Sequence, residues 1–191
     1  MKRLVISLLL LSWFSCLPAL RAAEAVTHVD DPGQLLPPDP PAASTTEAKL
    51  AGFERVAGLK VQVQFHRKSP TAEEDKVAGA YMHALAARLG VATRGVLVVY
   101  FADEDDWRIW IGDELTPVFT GRPGTAQELT KSGAIHEAKE AFLTAARAAG
   151  DAAYAAWLKG APRYRQPTPA QRLRFQTDAF ADALIAKFGA K

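Results

Sequence analysis

The hydrophobic positions of this chain change period several times, and the changes mark its elements. Val96–Ala102 is an unbroken apolar run, the pattern of a strand buried on both faces. Just downstream, Trp107, Ile109 and Ile111 alternate with Arg108 and Trp110, which predicts a second strand. Between them, Asp103-Glu104-Asp105-Asp106 is too polar to bury and short enough to turn, so the two runs predict an antiparallel pair with an acidic tip. Upstream, Val61, Val63 and Phe65 alternate with Gln62, Gln64 and His66, a strand with one wetter face. Pro70, a Thr71/Glu74 capping box and a stripe of Val77, Tyr81, Leu85 and Leu89 closed by Gly90 predict the intervening helix. Strand, helix and strand in that order make a right-handed parallel crossover.

Weaker patterns flank this centre. Val29-Asp30-Asp31-Pro32-Gly33 reads as a short strand entering a turn, and residues 26–46 hold five prolines, the composition of an extended arm. Ser44 and Glu47 form a capping box for a helix to about Ala57, with Leu50, Phe53 and Ala57 on one side. Beyond Gly112 the period is helical: a short helix over Asp113–Phe119, a longer one capped by Thr125 and Glu128 to about Ala149, and Asp151–Lys159 after Gly150. Arg163–Thr168 is a connector, and Thr168-Pro169 starts a closing helix in which Leu173, Phe180, Leu184 and Phe188 recur. The expected architecture is α/β: a small sandwich with a mixed central sheet flanked by helices, plus a helical C-terminal extension. The expected boundaries are 1–25 signal peptide, 26–46 arm, 47–120 core and 121–191 extension.

Composition adds a destination. Lys2 and Arg3 precede an apolar run from Leu4 to Leu17 and the small-residue site Ala23-Glu24-Ala25, which predicts a Sec-type secretory signal peptide cleaved after Ala25 and a periplasmic location. A retained anchor and lipidation at Cys16 are the alternatives. Cys16 is the one cysteine of the chain, so the mature protein would carry neither disulfide nor thiol chemistry, and no transmembrane stretch follows the leader. Without the leader, acidic and basic residues balance at 20 each, which argues against a nucleic-acid partner. The charges are segregated, however. Residues 26–120 carry 14 acidic and 9 basic side chains, and residues 121–191 carry 6 and 11.

The middle of the chain resembles a TPM domain, a family with thylakoid-lumen, photosystem-repair, receptor-accessory and many secreted bacterial members. The resemblance rests on the turn Asp30-Asp31-Pro32-Gly33-Gln34-Leu35, on Leu50, Phe53, Glu54 and Gly58, on the strand Val61–Phe65, on Gly95-Val96-Leu97, and on Asp105-Asp106 followed by Arg108-Ile109-Trp110-Ile111-Gly112. It implies a small α/β sandwich. Some members are acid phosphatases and some bind calcium. Thr93 and Arg94 stand where members commonly have an acidic residue and Asn, and Asp113-Glu114-Leu115 replaces the usual glycine-leucine-glutamate. Loss of that acidic residue, with Arg94 beside it, weakens the expectation of either activity.

Ligands of open α/β sheets gather at the carboxyl ends of the parallel strands. Those ends are His66-Arg67-Lys68 and the acidic turn, which the crossover brings side by side. Asp103, Glu104, Asp105 and Asp106, with Asp30 or Asp31, are the candidate oxygen ligands for a hard cation such as Ca²⁺. His66, Arg67 and Lys68 are the candidate receivers of a phosphate or carboxylate. The plainer reading is a solvated hairpin tip paired with a surface basic trio. His28, His66, His83 and His136 lack metal-ligand spacing, and no serine sits in a G-x-S-x-G context. In the basic extension, Trp157, Arg163, Tyr164, Arg165, Arg172 and Arg174 form an aromatic-basic group suited to an envelope protein or membrane complex, or to the chain's own acidic module. The functional expectation is a non-enzymatic accessory protein, with a metal-assisted phosphatase as the alternative.

Overall fold

The sheet has four strands in the order β1 (Val29–Asp30), β2 (Lys60–His66), β3 (Gly95–Phe101) and β4 (Asp106–Ile111). The computed structural model describes residues 27–37, 42–160 and 166–189, so the expected signal peptide, Cys16, Arg163, Tyr164 and Arg165 lie outside the described residues. β1 and β3 run parallel to β2, with Val29 opposite Val63 and Val63 opposite Val98. β4 returns antiparallel to β3, with Trp107 opposite Tyr100. The crossover and the acidic-tipped hairpin are thus as the periodicity predicts. Val29-Asp30, read from the sequence as a short strand entering a turn, joins the sheet as its edge strand beside β2.

A two-residue strand holds its place through side chains of other elements. Glu47 of α1 (Ala42–Ala57) accepts the backbone N–H groups of His28 at 2.7 Å and Val29 at 2.8 Å. The His28 ring is buried, with Nδ1 2.9 Å from the Val61 carbonyl and Nε2 3.2 Å from Glu54. Glu47 therefore serves β1 rather than the capping box expected with Ser44, and α1 starts two residues earlier than Ser44.

The crossover helix α2 (Ala80–Arg88) is shorter than expected. Thr71 and Glu74 do exchange the hydrogen bonds of a capping box, at 2.8 and 3.3 Å. Their turn does not propagate: the chain bends at Lys76 and Val77, and α2 starts afresh after Gly79, which adopts φ 80. Val77 is consequently exposed, and Met82, Leu85 and Ala86 supply the buried face.

After β4 come a 3₁₀ turn (Asp113–Leu115), α3 (Thr116–Thr120), α4 (Ala126–Lys131), α5 (Ala134–Gly160) and α6 (Pro169–Gly189). The Thr125/Glu128 capping box is present, but its helix ends at Lys131. Gly133, at φ 78, separates it from α5. α5 then runs unbroken through Gly150, where an interruption was expected. The glycine answers a packing demand: a β-carbon at position 150 would lie 2.5 Å from Cα of Gln176 in α6.

Helices cover both faces of the sheet. On one face Val61, Val63 and Phe65 of β2 and Trp107, Ile109 and Ile111 of β4 pack against Leu50 and Phe53 of α1 and Leu173, Phe180 and Leu184 of α6. On the other, Leu97, Val99 and Phe101 meet Met82, Leu85 and Ala86 of α2, with Trp110 at the margin. Gln62 and Gln64, read as the wetter side of β2, are buried under this second layer.

Candidate functional site

The carboxyl end of the sheet gathers most of the predicted residues without merging them into one centre. Asp103 accepts the backbone N–H of Ser69 at 2.9 Å and its hydroxyl at 2.8 Å, and these bonds hold its carboxyl below the usual range. Arg67 was expected beside the acidic turn. It instead donates to the Gly33 carbonyl at 2.6 Å, so the loop after β2 meets the turn through Ser69. Lys68 is exposed. Asp31 closes its own turn by accepting the N–H groups of Leu35 and Leu36 at 2.9 and 2.8 Å, and exposed Asp30 receives Nε2 of Gln64 at 3.4 Å. His66 lies between Oε1 of Gln64 at 3.1 Å and the Tyr81 hydroxyl at 3.3 Å. Burial lowers its pKa, Asp30 opposes that shift, and Arg88 adds to it. Among the described residues, no group of three or more His, Cys, Asp and Glu is arranged to hold a metal ion.

Two arginine systems take up the remaining carboxylates of the turn. Arg108 projects from β4 over the Phe101 ring, 4.8 Å from its centroid, and faces Glu104 at 2.8 Å, Asp106 at 3.3 Å and Asp75 at 3.8 Å. On the opposite side, Asp105 has a left-handed backbone, φ 48, and reaches Arg147 of α5 at 2.6 Å and Arg172 of α6 at 3.7 Å. It also accepts the Tyr100 hydroxyl at 3.0 Å. Burial first, and then that bond, push the Tyr100 phenol up to about 12. Arg172 forms a bidentate pair with Asp151, both bonds 2.8 Å, and Asp151 accepts Gln176, whose Oε1 receives the buried Trp107 indole at 3.1 Å. The acidic turn is thus tied through the basic extension to the core.

Beside β4 lies an open cleft of about 610 Å³, walled by α5 and the start of α2. Its lining includes the ion-paired Arg108 and Arg147 together with Lys139. Lys139 is half-buried, its Nζ 5.2 Å from the Trp110 ring centroid, and burial lowers its pKa. Nothing in the sequence sets Lys139 apart from Arg147 and Lys159 of the same alanine-rich helix, because its place opposite Trp110 depends on how α5 packs.

The predicted aromatic-basic group lies partly at the far ends of α5 and α6. Tyr154, Trp157 and Phe175 form a mutual ring cluster, with centroids 5.7–5.9 Å apart, and belong to neither cluster that buries the sheet. Arg174 stands 5.9 Å from the Phe175 centroid, with Nε buried and without a hydrogen-bond partner among the described residues. Arg172 is directed inward to Asp151.

No family model and no curated protein matches the chain. Among solved structures it is similar to the solution NMR structure of the N-terminal domain of a protein from P. gingivalis, with 15% identity, 87% of each chain covered and a TM-score of 0.46. The fold defines a mixed α/β protein: the described residues form a four-stranded mixed sheet with six α-helices, including a helical C-terminal region. Among the described residues no helix is long and apolar enough to cross a membrane.

Proposed function

We propose that the chain is a secreted, TPM-like accessory protein that binds an envelope protein or membrane complex without turning over a substrate. The observation that supports this best is the ring cluster of Tyr154, Trp157 and Phe175. Half-buried aromatic rings outside the core, with Arg174 against one of them, have the composition of an interface hot spot. The acidic turn supports the same reading, because Asp103, Glu104, Asp105 and Asp106 each already hold an intramolecular partner. A hydrolase working there would have to break those bonds first.

The test compares capture from envelope extracts by the wild-type protein, Trp157→Ala and Arg174→Glu. The expected result is a defined protein retained by the wild type, lost in both variants, and bound again when each component is purified. Hydrolysis of p-nitrophenyl phosphate, abolished by Asp103→Ala, Asp105→Ala or Asp106→Ala, would overturn the proposal in favour of the phosphatase alternative.

A further inference from the structure

The cleft beside β4 is lined by Asp106, Trp107, Arg108, Ile109 and Trp110, five successive residues of one strand. Successive side chains of a strand point to opposite faces, so a cavity touched by all five runs along the strand's edge. β4 is the last strand of the sheet, and nothing among the described residues pairs with its outer side. The hydrogen-bond phase shows which main-chain groups face the cleft. Gly112 donates to the Gly95 carbonyl at 2.9 Å, which makes Gly95 and Gly112 a hydrogen-bonded pair. In antiparallel alternation the next such pairs are Trp110 with Leu97 and Arg108 with Val99. The N–H and C=O groups of Trp107 and Ile109 therefore point outward, into the groove.

The walls carry the chemistry of a peptide site. Lys139, Leu143 and Arg147 recur every fourth residue along α5, and Met82 lines the other side. Arg108 and Arg147 are already ion-paired. Lys139 has no carboxylate within ion-pairing distance among the described residues, and it is partly desolvated over Trp110. An open strand edge is a template for one more strand, and a half-buried ammonium without a counter-ion is a receptor for a carboxylate.

We propose that an extended peptide segment of another protein adds as a fifth strand to the free edge of β4 and sets an acidic side chain on Lys139. The inference rests on the binding reading above but uses a surface separate from Trp157. Main-chain pairing with Trp107 and Ile109 would supply affinity, and Lys139 would select the acidic residue.

The test starts from the full chain and a phage-displayed library of random octapeptides, followed by synthetic copies of the enriched sequences. Enriched peptides are expected to contain β-branched residues and a carboxylate, to bind with Kd on the order of 10 μM, and to shift the amide resonances of Trp107 and Ile109. Lys139→Gln should weaken them about tenfold, the worth of one charge-assisted hydrogen bond. Lys139→Arg should restore binding, and both variants should melt with the wild type. N-methylation of alternate peptide amides should abolish binding. Failure to enrich any peptide, equal binding to Lys139→Gln, or tolerance of N-methylation would each overturn the inference. Concentration-dependent self-association that the peptides do not displace would also overturn it, assigning the edge to a second copy. Trp157→Ala should leave peptide binding unchanged. Loss of the groove result with Trp157-dependent capture intact would sink this inference alone, and the converse would sink only the accessory reading.

Discussion

Gly150 of α5 and Gln176 of α6 approach so closely that a β-carbon on the first would stand 2.5 Å from Cα of the second. Replacing Gly150 by Ala brings two opposed effects. An alanine inside a helix gains about 1 kcal/mol over glycine, while forcing a methyl into a closed helix contact costs typically 1–3 kcal/mol or more. The contact atoms are backbone, which has little room to yield, so the clash wins. Gly150→Ala should lower Tm by several degrees despite its better helix propensity, as differential scanning calorimetry will measure.

Trp107 is 3% exposed and donates its indole N–H to Gln176. Trp107→Phe should keep the ring contacts with Phe65 and Phe180 but leave Oε1 of Gln176 without that donor, a loss of roughly 1–3 kcal/mol. Urea unfolding at neutral pH checks the magnitude. In the wild type, acrylamide should leave the Trp107 component of the fluorescence largely unquenched.

His66 sets a pH limb. Its folded pKa lies below the ordinary 6.5, with burial the first cause, so the unfolded chain binds the proton more readily. The stability from this group is fully present above 6.5 and declines as pH falls below 6.5 towards the folded value. His66→Gln should flatten the urea midpoint over that window relative to the wild type.

Tyr100 gives the opposite limb. Its phenol, pushed up to about 12, stays neutral in the fold after an unfolded tyrosine has ionised near 10.0, so its contribution is lost as pH rises through that interval. Asp105→Asn tolerates the left-handed backbone at this position and removes the negative charge beside the hydroxyl. Ultraviolet titration should then show the last tyrosine ionising at lower pH, though still above 10.0 because burial persists.

The hold of α1 on β1 is testable by exchange. Glu47→Ala removes the acceptor of the His28 and Val29 amides, two charge-assisted bonds. Local opening should become easier by about 2 kcal/mol. Hydrogen exchange should accelerate most at Val63, whose amide donates to the His28 carbonyl at 2.7 Å, while amides in the middle of β3 should keep wild-type rates.

What the sequence made legible was whatever one periodicity decides. The apolar run into β3 and the alternation of β4 have a single reading each, and the acidic residues between them can only turn. Thr71 and Glu74 misled because a capping box is satisfied within four residues and says nothing about the chain beyond, which bends at Lys76 and Val77 before α2 starts. Glu47 looked like a cap because its partners, His28 and Val29, are far off in sequence. The ion pairs of the turn were hidden for the same reason: Asp105 finds Arg147 and Arg172 only after α5 and α6 have packed. Gly150 carries one letter for two opposite meanings, a helix end or a helix crossing, and only the neighbouring backbone decides between them.

Phe180, Ala181 and Leu184 of α6 are fully enclosed beside Val63 and Trp107. Shortening the protein ahead of Pro169 would therefore strip a wall from the building rather than trim a porch. The uncovered hydrocarbon would itself adhere to other proteins, and any capture seen with such a fragment would report stickiness instead of recognition. Partner mapping on this protein belongs to single-residue changes on its outer surface.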